Sequence, residues 1–366
     1  MRIDATSGIT PNGALSDIVI EIERNEIFKV SNESGNLSDF ALEGILIPSF
    51  IDLHCHGGGG YYFSDKKPEN VEQAIGLHRS HGTSMQILSL VSQSLDDLAQ
   101  QISQIAPLYQ DNRIAGIHLE GPYLSSEKAG AHDPSLLRAP KVSELEALLS
   151  LGGGAISMVT IAPELVGALD AIKYLAESGV VVALGHTNAD VPTFAAAIEA
   201  GAKLITHFNN AMRKLGSDDS SVADFILNQS DIEIEIILDR VHISDEIARE
   251  IFRRASNRVI LITDAMSAAG SLDGNYQIGN LDVCVEDSIA RLTTSGALAG
   301  STLTMDRAFL NAIELGMTVE DAVMASSTRA AQMFGFDKYG SIAPGKRADL
   351  LLYSPTHNSI ERVVTN

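Results

Sequence analysis

The sequence is poor in three things, and each scarcity removes a class of protein. Only two of its 366 residues are cysteine, Cys55 and Cys284. That is too few for a disulfide framework and predicts a cytoplasmic protein. Basic residues are outnumbered by acidic ones, 26 to 47, for a formal net charge of -21. Such a balance argues against nucleic acid or an anionic membrane surface as the main partner. It leaves a small anionic substrate open, because a local cluster of donors outweighs a distant net charge. Long apolar runs are missing too. None has the length of a membrane span, and the opening "MRIDATSGIT" lacks the apolar core of a secretion signal.

What is there is an alternation. Apolar residues make up 45% of the chain, enough for a large core, and they fall into short runs separated by longer helical patterns. Eight runs read as strands: 46–53, 84–91, 114–119, 156–161, 180–184, 203–206, 232–238 and 258–263. Most lack strict alternation, as strands buried on both faces do. Between them lie helical segments such as "PENVEQAIGLHRSHG" and "SDEIAREIFRRAS", several opening on Ser, Asp or Pro and closing on Gly. Eight βα units predict a closed parallel (β/α)8 barrel over 46–339. The ends, 1–45 and 340–366, read as short strands and turns, and the expectation is that they pair into one small β domain beside the barrel.

Catalytic residues of such barrels sit where strands end. The stretch "IPSFIDLHCHGGGG" ends its strand on His54 and His56, which face the same way because side chains alternate with period two. The third strand ends in "HLEGPY" with Glu120, the fifth in "LGHTNAD" with His186, the sixth in "THFNNAM" with His207, the seventh in "LDRVHI" with His242, and the eighth in "LITDAM" with Asp264. Any one of these alone reads as an ordinary structural residue. Their convergence on one mouth, with no competing cysteine ligands, points to a divalent metal site of nitrogen and oxygen donors, Zn²⁺ or an Fe²⁺, Mn²⁺ or Co²⁺ ion. His118, two residues before Glu120, reads as a hydrogen-bonded support, His78 and His81 as helix-packing or surface residues, and Cys55 as packing behind its strand. The glycines 57–60 read as a loop with positive φ. "GSIAPGKR" is no phosphate loop, since Arg347 stands where Ser or Thr is required and a strand follows.

In seven stretches, "PSFIDLHCHGGGG", "GIHLEGPYLSSEKAGAH", "LGHTNAD", "THFNNAM", "LITDAMSAAG", "GALAGSTLTM" and "GSIAPGKRADLLLY", the chain resembles the N-acetylglucosamine-6-phosphate deacetylase branch of the amidohydrolase superfamily. The resemblance implies a metal-dependent release of acetate from N-acetylglucosamine 6-phosphate. Glu120, His186 and His207 then match the ligands of the principal metal and Asp264 the acid/base. Ala131 and His132 match a substrate-contacting "GAH", with His132 a second donor to the carbonyl oxygen. Asn210 and Ala211 match a sugar-contacting pair, His242 a histidine near the sugar phosphate, and Leu298, Ala299 and Gly300 a loop closing on the substrate. His54 and His56, sharing Glu120, would hold a second ion. The family's phosphate arginine, usual after "NAM", is missing; Arg240, His242 and Arg213 are the expected replacements. The resemblance also implies a homodimer. Two alternatives stand beside it: another N-acyl sugar such as N-acetylgalactosamine 6-phosphate, or a non-catalytic barrel that only binds.

Overall fold

The computed structural model describes residues 1–32, 38–65 and 67–363; the parts of the expected small domain at 33–37 and 364–366 lie outside the described residues. Eight parallel strands form the barrel, here numbered β1 Phe50–Cys55, β2 Thr83–Val91, β3 Gly116–Glu120, β4 Ile156–Ile161, β5 Val181–Leu184, β6 Leu204–Ile205, β7 Glu233–Ile237 and β8 Val259–Ile262. Each is hydrogen-bonded to the next in chain order. Between β8 and β1 the seam is closed just past the strand ends: the Asp264 N–H donates to the His54 carbonyl at 2.8 Å and the His56 N–H to the Ala265 carbonyl at 2.8 Å. The expected α/β barrel is therefore the fold.

Helices cover the strands through their apolar faces. In Asp245–Ala255, Ala248, Ile251 and Ala255 are buried, the Ser244 side chain accepts the Ile247 N–H, and Arg253 and Arg254 occupy the last turn. The cap contributes about 1 kcal/mol and the arginines complement the helix dipole. In Val191–Glu199 the Asp190 carboxylate accepts the Thr193 N–H. That cap fixes where the loop carrying His186 must end.

A separate six-stranded sheet has the spatial order Ser359–Val363, Leu350–Ser354, Phe40–Pro48, Arg2–Thr10, Gly13–Glu23, Glu26–Ser31. Both chain ends thus meet in it, as expected. The expected strand 46–53 is corrected into two: its first residues finish Phe40–Pro48, where Leu46 pairs with Leu352, and the barrel strand begins only at Phe50. An apolar run continuous in sequence hid the change of partner; Pro48, which has no N–H for a further ladder bond, marks it. After β8 the chain also makes a three-stranded antiparallel sheet, Gly274–Ile278, Leu281–Glu286 and Ile289–Leu292. The sequence reading contained no strands there. Among the described residues no helix is long and apolar enough to cross a membrane.

Candidate active site

β1 delivers His54, β3 delivers Glu120, and the segments just after β1, β5, β6 and β8 deliver His56, His186, His207 and Asp264. The last three have φ of 47°, 28° and 48°, and Asn209, Ala211 and Arg240 close by are also left-handed. Non-glycine residues rarely adopt this backbone, and it gathers where surroundings hold side chains in an imposed direction. Two glycines make room. A Cβ on Gly130 would lie 3.0 Å from the His186 ring, and one on Gly300 would lie 2.9 Å from the Asp264 carbonyl.

Glu120 is the hub. Its Oε1 lies 3.0 Å from His207 Nε2, 3.2 Å from His186 Nε2 and 3.5 Å from His54 Nε2. Its Oε2 lies 3.1 Å from His56 Nε2 and 3.4 Å from His132 Nε2. Asp264 Oδ1 is 3.2 Å from His56 Nε2 and 3.5 Å from His54 Nε2. The imidazole nitrogens also face one another, His186 to His207 at 3.0 Å and His54 to His56 at 3.2 Å. One proton at most can sit between two such nitrogens, so several lone pairs aim at shared points. That donor set suits a divalent cation. Two groups have ligand atoms close enough for one ion each, Glu120 with His186 and His207, and His54 and His56 with the same Glu120. A third cluster, Asp52, Cys55 and His78, fits less well. Thr263 Oγ1 donates to Asp52 at 2.6 Å, and His78 Nε2 is 2.9 Å from the Gly57 carbonyl, so both are already engaged.

Charge is concentrated here. Burial opposes ionisation of Asp264, but the His54 charge and a hydrogen bond from His56 overrule it and bring its carboxyl down to about 2. Burial likewise works against the Glu120 carboxylate, and His54 together with the hydrogen bonds from His132, His186 and His207 holds it well below the ordinary value. Burial pushes His132 down to about 4 against the pull of Glu120. Its Nδ1 accepts the Ser92 backbone N–H at 3.3 Å. A backbone N–H can only donate, so the proton of the neutral ring sits on Nε2, the nitrogen beside Glu120.

A cavity of about 410 Å³ opens over this cluster, lined by His56, Glu120, Ala131, His132, His186, His207, Asn210, Ala211, His242, Asp264, Leu298 and Gly300 among others. Most of the sequence-predicted residues thus share one space, with fully buried His54 just beneath it. Two do not line it. Ala299 is packed in a small apolar cluster with Met266 and Val283. Arg240 is turned to Glu314 at 2.6 Å and Asp245 at 3.6 Å, which corrects the expectation that it faces the substrate. A guanidinium with two acidic neighbours within reach on the surface goes to them. Arg213 pairs with Asp219. His242 is held by Asp239, whose Oδ2 is 2.7 Å from its Nδ1.

His118 uses both ring nitrogens on hydroxyls, Ser89 at 2.9 Å and Thr160 at 2.8 Å, so it has no lone pair left for a metal. Sequence reasoning missed Lys128 and Lys214, which line the cavity, and Glu235, buried beneath it on β7. Glu235 had a signal. It is the charged residue at the centre of "EIEII", a strand otherwise buried on both faces.

Comparison with known proteins agrees with this geometry. The amidohydrolase family model matches residues 45–365. The N-acetylgalactosamine-6-phosphate deacetylase of Escherichia coli O157:H7 is 33% identical over 350 residues, 94% of this chain and 92% of that protein. The N-acetylglucosamine-6-phosphate deacetylase of Lysinibacillus sphaericus is 33% identical over 341 residues, 89% of this chain and 88% of the relative. Among solved structures, the N-acetyl-D-glucosamine-6-phosphate deacetylase of Mycobacterium smegmatis, an aspartate-to-alanine mutant in complex with N-acetyl-D-glucosamine-6-phosphate, superposes with a TM-score of 0.95 at 36% identity, covering 100% of this chain and 99% of that one.

Proposed function

Because this chain belongs to the amidohydrolase family, we propose that its site hydrolyses the acetamide of an N-acetylhexosamine 6-phosphate, N-acetylglucosamine 6-phosphate first, giving acetate and the amino sugar phosphate. The observation that carries the reading is the convergence of Glu120, Asp264 and the imidazoles of His54, His56, His186 and His207 at and beneath the floor of one cavity. Glu120, His186 and His207 would hold a divalent cation, Zn²⁺ in our reading, and His54 with His56 a second; the ion supplies a water acidified towards ~7 and a polarised carbonyl. Asp264 accepts the proton of the attacking water. It then delivers that proton to the amide nitrogen as the C–N bond breaks, because an unprotonated amine leaves poorly. His132 donates its Nε2–H to the carbonyl oxygen as charge develops there. Ala131, Asn210, Ala211, Leu298 and Gly300 shape the space for the sugar.

For the phosphate, the reading replaces the expected arginines by Lys214 and His242. Both line the cavity, and the Lys214 ammonium, unlike Arg213 and Arg240, is paired with no carboxylate among the described residues. A relative named for the galacto sugar and one named for the gluco sugar are equally similar to this chain, 33% each, so the galacto epimer stays the second reading. The reading also places the chemistry in the barrel from Phe50 to residue 339, leaves the six-stranded sheet of both chain ends as a supporting β domain, keeps the protein in the cytoplasm on its low cysteine content, and makes the working unit a homodimer, as the resemblance implies. The test is acetate release from both 6-phosphates and from unphosphorylated N-acetylglucosamine by metal-loaded protein. Release from neither 6-phosphate ends the proposal. Sedimentation at a single monomer mass ends the dimer.

A further inference from the structure

Glu235 is a carboxylate where a barrel interior ordinarily carries aliphatic side chains. It is fully buried, and no lysine or arginine pairs with it among the described residues. Its Oε1 has no hydrogen-bond partner among the described residues. Its Oε2 lies 3.3 Å from His54 Nδ1 and accepts the His207 backbone N–H at 3.4 Å. A lone carboxylate in such a place is costly unless something nearby compensates its charge. The His54 ring lies between Glu235 and the cluster. Its Nδ1 faces Glu235, and its Nε2 faces His56, Glu120 and Asp264. A carboxylate accepts from Nδ1, so the proton is held there and the Nε2 lone pair is left for a cation. Outer carboxylates of this kind fix the tautomer and raise the basicity of metal-binding imidazoles. The rings of the other candidate ligands are supported differently. His186 Nδ1 faces the Lys128 carbonyl at 2.8 Å, and the Nδ1 atoms of His56 and His207 are buried with no partner among the described residues.

We propose that Glu235 is a positioning residue that makes the His54, His56 and Glu120 group competent to bind a cation, setting the affinity of that half of the site and not of the half formed by His186 and His207. The inference rests on the two-ion reading above.

The test is calorimetric titration of Zn²⁺ into metal-free wild type, Glu235→Gln and Glu235→Met, with metal analysis after desalting. Methionine keeps the volume and removes the acceptor; glutamine keeps a neutral acceptor. The expected result is that wild type binds two equivalents. The second should weaken about 10- to 100-fold in the methionine variant and less in the glutamine variant, while the first stays within a factor of three or so of wild type. Melting of the three metal-free proteins checks that each is folded, and if methionine unfolds the chain the glutamine variant decides alone. Two equivalents at wild-type strength in the variants overturn the inference and leave the two-ion reading standing. Equal weakening of both equivalents also overturns it, since a general structural role would do that. A wild type that never exceeds one equivalent removes the two-ion reading and this inference together.

Discussion

His54 and His56 reach the centre from the end of one strand and the residue just past it, whereas His186 and His207 follow the ends of two different strands, on left-handed backbone. The first pair is set by strand geometry and backed by a carboxylate of the barrel interior. The second is set by loops, and one member leans on the Lys128 carbonyl in the segment that also carries Ala131 and His132. The difference teaches where each half is vulnerable. Changes inside the barrel should disturb the His54 and His56 half, and changes in the loop that carries Lys128, Ala131 and His132 the other. Glu120 belongs to both.

The largest effect should therefore come from Glu120→Ala. It removes the shared oxygens, and metal analysis after saturation should find neither equivalent, with turnover at background. Retention of one firmly bound ion would show that the halves are independent. Next is Asp264→Asn, which keeps the shape and loses the proton acceptor; kcat should fall about 10²- to 10⁴-fold with the ion of the His186 and His207 half kept. Turnover within tenfold of wild type would remove Asp264 from the mechanism. The His54→Asn, His56→Asn double variant should lose about one equivalent of metal and keep the other, and loss of both would contradict the division into halves. Further from the centre, Lys214→Ala should raise KM for the 6-phosphate by roughly tenfold, the loss of one charge-assisted contact, and leave the unphosphorylated sugar nearly unchanged. An equal rise for both substrates would take Lys214 away from the phosphate.

The smallest effect lies outside both halves and serves as their control. His81 Nδ1 is 2.9 Å from Asp306 Oδ2, joining the end of the first helix to the helix Met305–Glu314. The bond to Asp306, against partial burial, lifts His81 above its ordinary 6.5. Burial opposes ionisation of Asp306, yet the His81 bond holds it below its ordinary 3.8. The histidine contribution is complete below its unfolded pKa and lost as pH rises through the higher folded value. The aspartate contribution is lost as pH falls through its own lowered value. Asp306→Asn should thus lower Tm more at about pH 5 than at about pH 9, with metal content untouched. A loss of Tm independent of pH would mean the pair acts by packing alone.

How much of this the sequence disclosed depended on how local the cause was. Eight strands were legible because apolar runs and capping residues are local signals, and the run that misled, around Pro48, did so because strand partners are not. Candidate ligands were legible because strand ends in such a barrel share one mouth. Arg240 was not: only the folded chain brings Glu314 from a distant helix to its guanidinium. Lys214 and Glu235 were missed for complementary reasons, one an ordinary lysine in a polar loop, the other a charge inside a strand that read as core. The three-stranded sheet went unread because its strands are short and polar on one face, "GNYQIGNLDVCVE", and resemble a loop.

The left-handed residues at the mouth carry one more consequence, for how this chain can change. Each non-glycine residue held there costs of order 1–3 kcal/mol, and His186, His207 and Asp264 are all so held. Glycine at any of the three would relax the backbone and, on the proposed reading, delete the chemistry in the same step. On that reading stability and catalysis oppose each other at the same residues. A lineage freed from the need for this reaction should drift first at these positions, towards glycine and asparagine, while the apolar shell of the barrel stays as it is.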